Sequence, residues 1–292
     1  MMIDRQLRQI AITTKRLLTS TLLGDYRSIF RGSGLEFDRL AVYVPGDDVR
    51  SIDWRASRRM NVGDSLLVRQ YTEDRDRTVI FMVDSSASSR YSTTEILRNE
   101  MMIQVACVLA SIAEKAGDRV GLLLFSDVVE LWMPPQRGAA QVIRLQKKLL
   151  THQYRGKGTS IHDAVSFLLK RKIQNALIFI LSDWIDDTGS YDKILRVAAK
   201  KHDCIALRFL DAAERTFFES GSIELEDPET GIIGMLDFDC YKKISESVQR
   251  RIVDQNKVFS GLGLDLADFI IGESYIVPLI SLFARRMRSK RN

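Results

Sequence analysis

Asp84-Ser85-Ser86-Ala87-Ser88, Gly156-Lys157-Gly158-Thr159 and Ser182-Asp183 are the segments of this 292-residue chain whose residue types and spacing suit metal chemistry. They supply two carboxylates, Asp84 and Asp183, and three hydroxyls, Ser86, Ser88 and Thr159. Every donor is an oxygen, and hard oxygen donors without imidazole or thiolate suit Mg2+ or Mn2+ rather than zinc. The D-x-S-x-S spacing lets one tight turn aim its side chains at a single point. Mg2+ takes about six ligands in a near-octahedron and usually keeps waters, so such a set leaves a position open for an oxygen from outside. Where hydroxyls touch the ion directly, little of its charge is neutralised, and it keeps its pull on an external carboxylate.

Each segment also has a plainer reading. D-x-S-x-S alone is an ordinary strand-end turn with helix-capping hydroxyls; the metal reading rests on Thr159 and Asp183 joining it. His162, one turn into the helix after Thr159, reads better as a surface histidine than as a base. Trp184 either shapes the rim of the site or is half-buried packing. The run Asp47, Asp48, Arg50, Asp53, Arg55, Arg58, Arg59 is an ion-pair network, a docking face or simply solvated, and surface pairs contribute little to stability. The cations Arg285, Arg286, Arg288, Lys290 and Arg291 read as a solvated tail.

The elements that must position these residues alternate. TVIFMVD (78–84) and NALIFILSD (175–183) are apolar runs ending in an acid, as in strands buried on both faces. Further strands are expected at 119–125, 128–133, 204–210 and 264–271, and helices at 93–116, 138–151, 160–172, 190–202, 239–260 and 275–288. Ser92 and Glu95 have capping-box spacing at the start of the first of these helices. A hairpin over 222–236 turns at Pro228-Glu229-Thr230-Gly231. Alternating β and α with doubly buried strands implies an α/β, doubly wound, mainly parallel sheet. In such sheets ligands bind outside the carboxyl ends of the strands, so the three loops meet at one edge. Ahead of this region, 3–23 patterns as an amphipathic helix, and 30–77 is rich in charge, Gly and aromatics, with short strands at 41–44 and 65–71 and turns at Pro45-Gly46-Asp47 and Gly63-Asp64.

Composition narrows the function classes. Hydrophobic residues make up 45% of the chain, enough for a large core. The net charge of +5 is weak support for nucleic acid. Cys107, Cys204 and Cys240 are few, odd in number and widely spaced, so neither a disulfide framework nor a zinc site is expected. No apolar run reaches the roughly 18 residues of a membrane span, and the N-terminus lacks a signal-peptide core. A cytoplasmic location follows as the expectation.

The DxSxS…T…D set resembles the metal-ion-dependent adhesion site of von Willebrand factor A domains. The segments Arg31-Gly32-Ser33-Gly34-Leu35-Glu36-Phe37, Tyr43-Val44-Pro45-Gly46-Asp47-Asp48-Val49-Arg50-Ser51-Ile52-Asp53-Trp54 and Ser57-Arg58-Arg59 resemble the signature of a bacterial family, domain-of-unknown-function family 58. The late Asp227-Pro228-Glu229-Thr230-Gly231 turn and the Pro278-Leu279 helix belong to the same resemblance. It implies a von Willebrand factor A-like fold, metal held by Asp84, Ser86, Ser88, Thr159 and Asp183, with the acids often acting through water, and partnership with a MoxR-type AAA+ ATPase.

The expected organisation is an N-terminal helix (1–29), a small charged subdomain packed on the core (30–77), an A-like domain (78–285) and a basic tail (286–292). The expected function is a metal-dependent protein-interaction module, not an enzyme, that coordinates an acidic residue of a client protein. The chain has no GxxxxGK[ST] motif, so ATP hydrolysis falls to the partner. A metal-dependent, phosphatase-like hydrolase is the alternative; against it, no second acid or base is obviously placed by the metal. Nucleic-acid binding is the weakest of the readings.

Overall fold

The computed structural model describes residues 21–30, 35–60, 66–73, 77–90, 92, 94, 96–153, 156, 158–186, 188–212, 223–226, 233–236 and 238–289. In chain order the elements are α1 (Thr21–Ile29), β1 (Leu35–Val42), α2 (Trp54–Met60), β2 (Leu67–Glu73), β3 (Thr78–Asp84), α3 (Arg98–Ala116), β4 (Arg119–Phe125), β5 (Val129–Gln136), α4 (Ala139–Thr151), α5 (Ile161–Leu169), β6 (Leu177–Ser182), α6 (Thr188–Lys201), β7 (Asp203–Leu210), β8 (Ile223–Glu226), β9 (Ile233–Leu236), α7 (Phe238–Leu262), β10 (Asp265–Ile270) and α8 (Ile276–Ser289). They form two compact units, Met1–Ile29 with Arg77–Asn292, and Phe30–Asp76.

In the larger unit the sheet order is β10-β7-β6-β3-β4-β5. Neighbours run parallel except at the edge, where β5 is antiparallel to β4. The chain runs outward from β3 to β4 and β5, then crosses back and runs outward from β6 to β7 and β10. The direction of winding therefore reverses between β3 and β6, the place where open α/β sheets form their ligand crevice.

Period-two alternation sends successive residues of β3 to opposite faces, and Val79–Val83 are all buried. Ile80 and Met82 join Ile178 and Ile180 of β6 in one cluster with Ile161, Val165 and Leu168 of α5, Leu195 of α6 and Phe259 of α7. On the opposite face α3 covers β3 and β4 beside α4 and α1, and α1 also touches α8. Phe81 stacks on Phe179 with ring centroids 5.4 Å apart, joining β3 to β6. Each fully buried Ile, Leu or Phe stabilises by roughly 1.5–3 kcal/mol, so the strand ends at the switch point stand on a fully buried part of the sheet. Among the described residues no helix is long and apolar enough to cross a membrane.

The fold class is the one expected from the alternating pattern, and several local expectations need correction. Helix α3 begins at Arg98, not 93. Ser92 does not cap it: its hydroxyl bonds Thr94 Oγ1 at 2.9 Å and Asp211 Oδ2 at 3.1 Å, so a tertiary partner outcompetes the local cap. Glu100 instead accepts the Leu97 N–H at 3.3 Å. Arg286 does not belong to a solvated tail. It lies on α8 and pairs with Asp203 and Asp265, each at 2.5 Å. Lys290 and Arg291, the turns at 63–64 and 228–231, and nearly all of the helix expected over 3–23 lie outside the described residues. The hairpin strands β8 and β9 do pair antiparallel, from Ile223↔Leu236 to Glu226↔Ile233.

In the smaller unit, β1 and β2 pair antiparallel from Leu35↔Glu73 to Val42↔Leu67, a longer ribbon than the sequence suggested. Its acids serve the backbone. Asp47 accepts the Val44 N–H and Asp48 the Arg50 N–H, both at 3.0 Å. Asp53 accepts the Arg55 and Ala56 N–H groups at 3.0 Å and caps α2.

Candidate metal centre

Asp84 closes β3 and is 1% exposed. Its Oδ1 accepts the Ser86 N–H at 2.9 Å, which folds the chain into a tight turn. Its Oδ2 accepts the Ser182 hydroxyl at 2.7 Å, across the switch point. Ser85 fastens the turn to β4, donating its N–H and hydroxyl to Phe125 O at 2.7 and 2.8 Å. Ser89 closes it by donating its hydroxyl to Ser86 O at 2.7 Å. With the backbone held this way, the Ser86 and Ser88 hydroxyl oxygens lie 3.0 Å apart.

Asp183, 2% exposed, follows β6. Its Oδ1 accepts the Ile185 N–H at 3.2 Å, and its Oδ2 accepts from Arg98 Nη1 at 2.7 Å. Burial, and then the neighbouring Asp183 carboxylate, push Asp84 up from the ordinary carboxylate range to about 7, against the hydrogen bonds from Ser182 and Ser86. Two acids are thus held close in a low-dielectric edge, an arrangement that favours a cation beside them.

Trp184 does not form the rim. It is fully buried with φ +57°, a left-handed conformation costly for a bulky side chain. Its ring packs edge-on against Tyr191 and Phe259, with centroids 5.4 and 4.8 Å away, and its Nε1 donates to Leu207 O at 3.3 Å. This anchoring turns the chain sharply after Asp183.

Thr159 comes from a separate loop and is half-buried. The next residue, Ser160, caps α5 and donates its N–H to Ser126 O at 2.8 Å. A Cβ on Gly156 would fall 1.9 Å from Ser126 Oγ, so only glycine lets this loop press against the turn after β4. Glu130 ties down the other end of the loop, accepting the Gly156 N–H at 3.1 Å and pairing with His152 Nε2 at 2.5 Å. The structure therefore joins Asp84, Ser86, Ser88 and Asp183 around the switch point and fastens the Thr159 loop to the end of the adjacent strand. His162 is exposed and hydrogen-bonded to Asp163 at 3.2 Å.

The donor chemistry fits a small divalent ion. The Ser86 and Ser88 hydroxyls are hydrogen-bonded to each other at 3.0 Å, near enough for both oxygens to reach one small ion. Among the described residues no group of three or more His, Cys, Asp or Glu is placed to hold a metal; a centre here has two acids, and hydroxyls supply its remaining protein donors. Sequence reading missed Arg98, Glu130 and His152. His152 also lines, with Asp84, Ser85, Asn99 and the apolar Ile103 and Leu149, a partly enclosed cavity of about 10 Å³, close to the space of one water.

The profile of the family described as "Protein of unknown function DUF58" matches residues 40–257, including all the candidate ligands. The chain belongs to the DUF58 family. Uncharacterized protein Rv1480 of Mycobacterium tuberculosis is 23% identical to this DUF58 chain over 286 residues, 97% of the chain and 89% of the relative. Among solved structures, conserved hypothetical protein BatB from Bacteroides thetaiotaomicron is similar with 16% identity and a TM-score of 0.46, over 73% of this chain and 99% of that one. The SpRpn10 VWA domain is similar with 11% identity and a TM-score of 0.43, over 70% and 93%.

Proposed function

We propose that this DUF58 protein is a cytoplasmic, metal-dependent protein-interaction module rather than an enzyme, and that it grips an acidic residue of a client through a centre formed by Asp84, Ser86, Ser88, Thr159 and Asp183. The observation that carries this reading is the meeting, at the sheet's switch point, of two buried carboxylates, Asp84 and Asp183, with the adjacent hydroxyls of Ser86 and Ser88. Bound there, Mg2+ or Mn2+ supplies a Lewis-acidic position for an outside carboxylate. The chain's own part is to hold the donors rigid. The Asp84 turn is locked by Ser85 and Ser89, the Asp183 loop by Trp184, and the Thr159 loop by Gly156 and Glu130. Exposed apolar side chains stand on the surrounding loops, Val128 at 54%, Ile185 at 41% and Leu97 at 38%. They suit a protein surface better than a small polar substrate.

The resemblance stated above makes a MoxR-type AAA+ ATPase the expected companion, with ATP hydrolysis on its side of the complex. The test is affinity capture from the native cell with tagged wild-type and Asp84→Ala proteins, with Mg2+ or with chelator. Capture of a client that needs both the metal and Asp84 supports the reading. Equal capture by Asp84→Ala in chelator overturns it.

One observation favours a second reading, a phosphatase-like hydrolase: His152, held by buried Glu130, lines the same small cavity as Asp84. It would supply the base that the sequence did not reveal. Turnover of phosphomonoesters or phosphodiesters with Mg2+ or Mn2+, lost in both Asp84→Ala and His152→Gln, would replace the binding reading with this one.

A further inference from the structure

Arg98 is the first residue of α3 and is 2% exposed. Its guanidinium meets Asp183 Oδ2 at 2.7 Å, and the two side chains are 3% and 1% exposed. Two general costs oppose this placement. A cation at a helix N-terminus faces the positive end of the helix dipole, and taking an ion pair out of water costs several kcal/mol per ion, which mutual attraction only partly returns. A buried pair that adds little stability calls for another role, and its position suggests one. Asp84 ends β3 and Asp183 follows the paired strand β6, so Arg98 is bonded directly to one of the two acids at the switch point.

We propose that Arg98 is the centre's built-in counter-ion: it neutralises Asp183 in the metal-free protein and competes with a divalent cation for that carboxylate. This rests on the metal reading of the site. With Arg98 in place, the charge of Asp183 is offset by a guanidinium in direct contact; without it, that carboxylate meets an incoming cation with its charge uncompensated by this partner. Asp183 also spends both oxygens within the fold, one on Arg98 and one on the Ile185 N–H. Arg98 thus holds Asp183 in place and sets the centre's metal affinity below what the same oxygens would give alone.

The sign of the effect separates this role from a merely structural one, since disrupting the site's architecture would weaken metal binding, whereas removing a competitor tightens it. The experiment measures Mn2+ and Mg2+ binding by calorimetry, and melting temperature with and without metal, on the full chain. Arg98→Met should bind Mn2+ at least tenfold more tightly than wild type, melt lower without metal and gain more from its addition. Arg98→Gln, which keeps a hydrogen-bond donor without the charge, provides the same test where the methionine variant folds poorly. Arg98→Lys, which keeps the charge, should stay within about threefold of wild type. Wild-type binding with Arg98→Met and Arg98→Gln unchanged or weaker overturns this inference alone. A wild-type protein that binds Mn2+ no better than Asp84→Ala overturns the metal reading, and this inference with it.

Discussion

The Ser182 hydroxyl donates to the Asp84 carboxylate at 2.7 Å and accepts the Trp184 N–H at 3.0 Å. One side chain therefore ties the end of β3 to the loop that carries Asp183, across the boundary where the winding of the sheet reverses. Ser182→Ala removes a hydrogen bond to a buried carboxylate and leaves the Trp184 N–H without that acceptor. A charge-assisted bond of this kind contributes roughly 1.5–3 kcal/mol. Urea unfolding should show a free energy of unfolding lower by that amount, seen as a lower midpoint with an unchanged slope.

Gly156 and Gly158 should differ sharply although both lie in the GxGT segment. A Cβ at 156 falls 1.9 Å from Ser126 Oγ and 2.4 Å from Ser126 Cβ, while one at 158 meets nothing closer than 3.9 Å. Ser126 is buried and short, so it cannot swing aside. Gly156→Ala should lose about 1–3 kcal/mol and weaken the response to Mg2+ by dislodging the Thr159 loop. Gly158→Ala should match wild type in both denaturation and metal titration.

The sequence revealed those parts of the molecule whose signals are local. Apolar runs ending in acids gave β3 and β6, and alternation with helices gave the parallel sheet. The D-x-S-x-S turn was readable because its bonds, Asp84 to Ser86 and Ser86 to Ser88, span two residues. Arg98 was missed because its partner lies 85 positions away, and periodicity says nothing about such a pair. His152 and Glu130 are likewise joined across 22 positions, through the packing of α4 on the sheet. Trp184 was ambiguous for a related reason. Only the ring contacts to Tyr191 and Phe259 decide that it is core, and Phe259 comes from a helix whose docking the sequence does not specify.

His202 predicts an acid-side loss of stability away from the centre. Its Nδ1 accepts the Ala176 N–H at 3.3 Å, which requires the neutral ring. Burial first, and then Lys201, hold its pKa below the ordinary histidine value of 6.5. The unfolded chain therefore binds the proton more readily, so stability rises with pH across this window. The contribution is present above about pH 6.5 and is lost as pH falls through the lower folded value. His202→Asn keeps an acceptor near the Ala176 N–H and removes the titration. Melting temperature plotted from pH 8 to 5 should fall less steeply for the variant; parallel curves would refute this role.

Asp84→Asn should stabilise the metal-free protein and abolish its response to metal. At pH 8 the Asp84 carboxylate is ionised although burial and Asp183 have pushed its pKa to about 7. Holding that charge inside opposes folding. Asparagine is nearly isosteric: its Oδ1 can accept the Ser86 N–H as Asp84 does, and its amide can donate to the Ser182 hydroxyl, which then serves as acceptor. The variant keeps the turn, loses the repulsion with Asp183, and leaves Asp183 with Arg98 as a neutral pair. It should melt higher than wild type in chelator at pH 8. Adding Mn2+ at about 100 times the wild-type Kd should stabilise wild type by about 2.7 kcal/mol and leave Asp84→Asn unmoved. A variant that melts lower than wild type in chelator would show that the Asp84 charge is already compensated in the empty site, and one that still gains with Mn2+ would remove Asp84 from the ligand set.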